Sequence, residues 1–324
     1  MLRRFLNVFE PFILALFGTA VLASLLPPRG GLVPVFDIAA DIGIVLLFFL
    51  HGAKLSRQAI VSGARNWQLH LAVFLATYAL FPVLGLGMSL LPGLSEEAAA
   101  GLLFLTLLPS TVQSSIAFTA IAGGNIAAAV CSASLSNLLG VALTPALVGL
   151  LMSPGGEGGG SISLGSVEAI VLQLLLPFLL GHVLRPWIGG WVQRRKTLLG
   201  LVDRGSILLV VYTAFGAAVV GGLWHRMGSV DLMILFLLCC VLLAIVLGVT
   251  WGASRLLRLG REDAIVLLFC GSKKSLASGV PIAGVLFPAA QVGLIILPLM
   301  VFHQLQLIAC AILARRLAKG APQP

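Results

Sequence analysis

Apolar residues run along this chain in blocks of about 20, the length a helix needs to cross the hydrocarbon core of a bilayer. Short clusters of charged residues, Gly and Pro separate the blocks. The pattern predicts an all-α polytopic membrane protein with ten spans, at 9–27, 33–53, 67–91, 97–121, 126–151, 162–184, 204–223, 230–254, 263–287 and 291–314. Two spans depart from it. Pro109, Ser110, Thr111, Gln113, Ser114 and Ser115 interrupt the fourth, and Gly123, Gly124 and Asn125 follow it. Gly271, Ser272, Lys273, Lys274, Ser275, Ser278, Gly279 and Pro281 interrupt the ninth. Unwound backbone at membrane depth persists only where protein or a wet cavity satisfies it, so both segments are predicted to break.

Composition agrees with the pattern. Of 324 residues 59% are hydrophobic and 10% charged, and the mean hydropathy is +1.11; ordinary soluble domains carry roughly a quarter charged residues. The basic residues orient the spans, because short cytoplasmic loops collect Lys and Arg. With both termini cytoplasmic, Arg3, Arg4, Lys54, Arg57, Arg65, Arg185, Arg194, Arg195, Lys196, Arg204, Arg255, Arg258, Arg261, Arg315, Arg316 and Lys319 fall inside. Only Arg29 and Arg226 fall outside, and Lys273 and Lys274 lie within the ninth span. An inner-membrane location is expected. The net charge of +9 is dispersed over inner loops beside anionic lipid rather than clustered with aromatics, which argues against nucleic acid as a partner. Arg3 and Arg4 before an apolar run ending near Val21, Leu22 and Ala23 look like a secretory signal. That run is long for a signal core, and it is read as the first span.

The low-complexity stretch 153–161, Ser-Pro-Gly-Gly-Glu-Gly-Gly-Gly-Ser in composition order from Ser153, reads as a flexible external linker that divides five spans from five. An odd number of spans per half turns a duplicated unit upside down, the inverted-repeat plan of many secondary transporters. Residues 1–152 are expected to form the first repeat and 162–324 the second. Thr111-Val-Gln-Ser-Ser-Ile-Ala117 lies over Gly271-Ser-Lys-Lys-Ser-Leu-Ala277 at an offset of 160. Each stretch sits in the fourth span of its half, behind an acidic helix start at Ser95, Glu96 and Glu97 or at Glu262 and Asp263. Paired interruptions at corresponding positions point to a transport site.

Ten spans, the Pro-Ser-Thr-Val-Gln-Ser-Ser stretch from Pro109 and Phe269-Cys-Gly-Ser-Lys-Lys-Ser-Leu-Ala277 resemble the bile acid:sodium symporter superfamily, in its SBF-like branch with the Cys-Gly-Ser-Lys-Lys-Ser motif. The resemblance covers essentially the whole chain. It implies that helices four and nine are broken and cross in a core domain of spans 3–5 and 8–10, which moves against a panel domain of spans 1, 2, 6 and 7. It also implies a cation site at Ser114 and Ser115, with Ser132, Ser134, Ser136 and Asn137 one span on. The family's second sodium site uses a Glu and a Gln where this chain has Phe269 and Lys273, so that site is not expected to survive.

A charge at membrane depth usually carries function. Lys273 lies roughly 15 Å along a helix from Asp263, near the bilayer centre. Three roles stand open for the lysines: an ammonium in place of a sodium ion, satisfied by carbonyl ends and hydroxyls; an amine that gives up and regains its proton, coupling transport to H+; or an anchor for an anionic solute beside a half-helix N-terminus. Adjacent residues point about 100° apart, so the two lysines need not share one role. Thr111, Gln113, Ser114, Ser115, Ser272, Lys273, Lys274 and Ser275 are the candidate substrate or coupling residues. Asp41, four residues after Asp37, is a candidate counter-charge. His51, Gln173, His303, Gln304 and Gln306 are read chiefly as interhelical hydrogen-bond formers.

All five cysteines, Cys131, Cys239, Cys240, Cys270 and Cys310, fall in spans without metal-ligand spacing and read as packing residues. No Gly-x-Ser-x-Gly, His-Glu-x-x-His or nucleotide-binding glycine pattern occurs, so neither an enzyme nor a cofactor is expected beyond coupling by Na+ or H+. The sequence therefore reads as a secondary transporter of a small organic anion. The alternatives are a proton-coupled carrier and a regulatory membrane protein that kept the fold without moving solute.

Overall fold

Where lipid is the solvent, a helix satisfies its own backbone polar groups, and apart from two breaks the long apolar runs are helical among the described residues. The computed structural model describes residues 11–54, 66–91, 93–152, 168, 170–222 and 228–319. The predicted linker at 153–161 and Arg3, Arg4, Arg57, Arg65 and Arg226 lie outside the described residues. In chain order the helices are α1 (Pro11–Leu25), α2 (Leu32–Lys54), α3 (Trp67–Ser89), α4 (Glu96–Leu107), α5 (Gln113–Ile121), α6 (Ile126–Leu151), α7 (Val171–Arg194), α8 (Lys196–Val220), α9 (Ser229–Leu256), α10 (Arg261–Gly271), α11 (Leu276–Leu286) and α12 (Ala289–Lys319). Among the described residues eight segments, with α10 and α11 taken together, are long and apolar enough to cross a membrane by length and composition. The α1 helix and the α4 and α5 pieces are shorter, at 15, 12 and 9 residues.

Both expected interruptions are present as breaks. The first lies between Leu107 and Gln113, and the second between Gly271 and Leu276. Leu108 is extended, with φ −78° and ψ 157°, because it precedes Pro109, whose ring disfavours the helical region for the residue before it.

The sixth and seventh elements differ from their predicted bounds. The α7 helix runs on to Arg194 and α8 starts at Lys196, so the expected basic loop from Arg185 to Asp203 is almost wholly helical. Hydropathy stops at Arg185, but Arg, Gln and Lys are good helix formers whose long side chains reach out of the apolar layer, so the helices outlast the apolar block.

The chain divides into two compact units. One comprises residues 1–55, 149–228 and 280–296 and holds α1, α2, α7 and α8 with most of α11 and the start of α12. Within it α2 and α7 cross with their backbones in contact. A Cβ placed on Gly52 would lie 2.0 Å from the Phe178 carbonyl oxygen, and one on Gly181 would lie 2.0 Å from that of Phe49. The end of α2 is tied to α8 by the Lys54–Asp203 ion pair. The other unit comprises residues 56–148, 229–279 and 297–324 and holds α3 to α6, α9, α10 and most of α12. The segment Arg261–Leu286 is 94% buried over its most apolar stretch, against 22% to 50% for the other candidate spans. A helix so enclosed, yet carrying two lysines, places its cations wholly among protein groups.

Candidate functional site

The site forms around the breaks, inside the second unit. A helix ends with carbonyls that have no intrahelical partner, and α4 ends at membrane depth, so each of those oxygens needs a donor. The Leu107 carbonyl accepts from Thr144 Oγ1 at 2.9 Å. The Pro109 carbonyl accepts from the Ser275 amide at 2.8 Å, and the Ser110 carbonyl from Asn137 Nδ2 at 2.6 Å. The Thr106 and Leu108 carbonyls accept from the ammonium of Lys274 at 2.8 and 2.6 Å.

The third hydrogen of that ammonium goes to the Thr77 carbonyl, at 2.8 Å. Thr77 lies in the π-turn Ala76–Leu80 of α3, where the Phe81 amide bonds to Ala76 in place of Thr77. The next residue, Pro82, has no N–H to offer. The Thr77 carbonyl is thus left without a donor by its own helix. Lys274 Nζ completes it, with the Phe81 ring 4.2 Å away. All three ammonium hydrogens end on carbonyl oxygens in a fully buried position. The negative end of a half-helix dipole adds to the fit.

The opposite break is closed reciprocally. The Cys270 carbonyl at the end of α10 accepts from Ser110 Oγ at 2.6 Å, and that of Phe269 from Ser115 Oγ at 3.0 Å. The unwound segment itself is clamped by Gln306. Its Oε1 accepts from the Lys274 amide and its Nε2 donates to the Lys274 carbonyl, both at 2.9 Å. Nε2 also lies 2.8 Å from His303 Nδ1.

Lys273 is placed differently. Its Nζ is fully buried and has no hydrogen-bond partner among the described residues. It rests 4.2 Å from the Phe118 ring centroid and 5.3 Å from that of Phe269. Two ring faces attract a cation at this range, but they accept no ordinary hydrogen bond. None of its N–H groups therefore meets a hydrogen-bond acceptor among the described residues.

The remaining predicted residues are dispersed around this centre. Thr111 Oγ1 lies 2.7 Å from Ser114 Oγ and 3.0 Å from Ser115 Oγ. Ser136 Oγ accepts from the Ser110 amide at 3.0 Å, and Asn137 Oδ1 accepts from Ser278 Oγ at 2.8 Å. Ser275 Oγ accepts the Ser278 amide, Ser272 Oγ donates to its own helix at Leu268, and Ser132 Oγ meets His70 Nδ1 at 2.8 Å. Gln113 is exposed and Ser134 half-buried. These hydroxyls thus help to bind the breaks together. Asp41 is exposed on α2, and the Lys274 hydrogens end on carbonyls, without a carboxylate. Gln304 has a buried amide with no partner among the described residues, and His51 bonds within its own helix to Leu47.

Some of the site is not visible in side-chain chemistry. Thr77, Thr106 and Leu108 contribute only backbone oxygens; Pro82 and Pro109, which disrupt helix pairing nearby, are the available signals. Also unsignalled is a node at the start of α10. Asp263 accepts from Asn66 Nδ2 at 2.6 Å and Asn125 Nδ2 at 3.0 Å. The same asparagines cap α3 and α6 by accepting the Leu69 and Ala128 amides.

The sequence profile of the SBF-like CPA transporter family matches residues 10–319. The uncharacterized protein PA2026 of Pseudomonas aeruginosa is 56% identical over 96% of this chain and 93% of its own length. YfeH of Escherichia coli, provisionally named a symporter, is 51% identical over 98% of this chain and 95% of its own. More distantly, the sodium/bile acid cotransporter 7 of Rattus norvegicus is 26% identical over 93% of this chain and 89% of its own.

Proposed function

The chain belongs to the SBF-like CPA transporter family, and from that premise we propose that it moves a small organic anion across the membrane by alternating access, with Lys274 as a built-in cation. It is an integral membrane protein and a transporter of the bile acid:sodium symporter type. In this reading its ten spans are two inverted five-helix repeats, residues 1–152 and 162–324. Apart from residues 280–296 of spans nine and ten, which fall with the other unit, the division into two compact units supports a panel of spans 1, 2, 6 and 7 and a core of spans 3–5 and 8–10. An inner-membrane location with cytoplasmic termini follows from the basic loops.

The observation that carries the reading is the Lys274 ammonium held by three carbonyls at the broken helices. Small monovalent cations are bound by hard oxygen donors of this kind, and a tethered ammonium supplies the charge without an ion from solution. Phe269, whose ring flanks Lys273, offers no oxygen either. Uptake of labelled carboxylates and sulfonates into proteoliposomes tests this. Flux should be the same in Na+ and K+ media. A steep Na+ requirement in the wild type would overturn the tethered-cation reading, and absence of flux for a broad anion library would favour a regulatory role.

The unpartnered amine of Lys273 favours a second arm of the same mechanism. It is the group left to bind the solute's acidic function or to carry a proton with it. Uptake driven by an imposed pH gradient, and lost in Lys273→Gln, would assign proton coupling to it; gradient-independent exchange lost in the same variant would assign solute binding.

A further inference from the structure

We propose that the cavity at the junction of α9 and α10 is a binding site for the phosphate of an anionic phospholipid. It encloses about 510 Å³. Arg255, Arg258 and Arg261 stand around it, Trp251, Ile265 and Leu317 form apolar wall, and no carboxylate among the described residues lines it. Three guanidinium groups over an apolar wall match a ligand that is a phosphodiester at one end and hydrocarbon at the other. Arginine is suited to this ligand, since its planar fork pairs with phosphate oxygens.

The depth is right for a headgroup. The α9 helix has 28 residues, about 42 Å at 1.5 Å per residue, against a hydrocarbon core of about 30 Å. Residues 232–254 carry no charge, so Arg255 marks where the helix leaves the apolar layer. Trp251, one turn earlier, is a residue type enriched at that boundary. Basic pockets between spans at this level are suited to anionic headgroups.

The Arg255 and Arg261 side chains have partners of their own, and the backbone of Arg258 is fixed. Arg261 Nη2 donates to the Leu317 carbonyl at 2.8 Å and the Ala122 carbonyl at 3.3 Å. Arg255 lies over the Trp251 ring, 5.4 Å from its centroid. Arg258 is held by backbone geometry. The Leu259 amide bonds to the Ser254 carbonyl and the Arg258 amide to that of Arg255, each at 3.0 Å. This pattern closes a helix with a left-handed residue, a place normally taken by glycine. Here the residue is Arg258, with φ 51°. An arginine is kept where the backbone favours glycine, and its side chain borders the cavity.

That geometry supplies a clean test. Arg258→Gly removes a guanidinium while relieving the backbone, so loss of binding cannot be blamed on loss of fold. Native mass spectrometry of the purified full-length protein, titrated with phosphatidylglycerol or phosphatidylcholine, reads bound lipid directly. The wild type should retain one phosphatidylglycerol under conditions that strip phosphatidylcholine. Arg258→Gly and Arg255→Gln should each weaken retention about tenfold, as expected for loss of one charge-assisted contact, with the Arg258→Gly melting temperature in detergent unchanged or raised. Equal retention of the two lipids, or undiminished phosphatidylglycerol binding in the double variant, would overturn the proposal. Inorganic phosphate that displaces the lipid and stabilises the protein equally would reassign the cavity to a soluble anion.

Discussion

The ammonium of Lys274 donates to the backbone carbonyl of Thr77 at 2.8 Å, across 197 positions of sequence. Two local defects meet in that bond. The π-turn of α3, followed by Pro82, strands an oxygen, and the break before α11 brings a cation to it. Neither defect would be tolerable alone at membrane depth, since an unpaired buried carbonyl and an unpaired buried ammonium each carry a large desolvation penalty. Together they satisfy one another, and the π-turn of α3 and the break before α11 become parts of one bonded centre.

Lys274→Met should therefore be strongly destabilising. It strands three carbonyls, each carrying a penalty of about 1–3 kcal/mol, and a loss of at least about 3 kcal/mol is expected. In a protein of this size that is a fall of roughly 5 °C in detergent, measurable by intrinsic fluorescence. Lys274→Ala adds a sharper readout. It opens space at the carbonyls, so ammonium or methylammonium salts should raise its melting temperature and leave that of the wild type unmoved. A Lys274→Met variant that melts with the wild type would show that the carbonyls carry no stability.

Lys273→Met should behave in the opposite way. The side chain makes no hydrogen bond among the described residues, and replacing a buried ammonium by a thioether of similar length removes a desolvation penalty that the Phe118 and Phe269 rings offset only in part. Stability should be unchanged or higher, while uptake into proteoliposomes is lost. Full uptake by this variant would remove Lys273 from the transport cycle.

This contrast between neighbours marks the limit of what the sequence discloses. The apolar blocks and the two polar interruptions are written in residue type, and Leu107–Gln113 and Gly271–Leu276 are indeed where the helices stop. Both lysines lie in the unwound segment between α10 and α11, so helical geometry does not set their divergence. Nor does residue type disclose which one meets oxygens, because the oxygens belong to the backbone of Thr77, Thr106 and Leu108 and leave no trace in side-chain chemistry. The resemblance directs attention to Lys273, through the position of a sodium ligand, whereas the carbonyl-bound ammonium is that of Lys274. The run from Arg185 to Asp203 shows the same limit, because hydropathy records where lipid ends, not where helix ends.

Asp263 gives a graded test of the node at the start of α10. Its two oxygens each accept from an asparagine that also caps a helix. Asp263→Asn keeps one acceptor and should cost about 1 kcal/mol. Asp263→Ala keeps none, loosens the caps of α3 and α6, and should cost about 2–3 kcal/mol. Thermal melts in the order wild type, Asn, Ala are expected. Equal melts for the two variants would mean that the second bond contributes nothing.

The crossing of α2 and α7 permits a test in which the same substitution has opposite signs at two sites of one helix. Gly181 faces the Phe49 carbonyl so closely that an added Cβ would lie 2.0 Å from its oxygen. That oxygen is backbone and cannot swing aside, so the helices must separate, and overpacking of this kind costs about 1–3 kcal/mol. Gly190, nine positions on in the same helix, meets nothing within 4 Å. There alanine only restricts the unfolded chain and improves helix propensity, a gain of up to about 1 kcal/mol. Gly181→Ala should lower the melting temperature and Gly190→Ala should hold or raise it. If Gly181→Ala is also neutral, the close approach of α2 and α7 is not what holds that unit together.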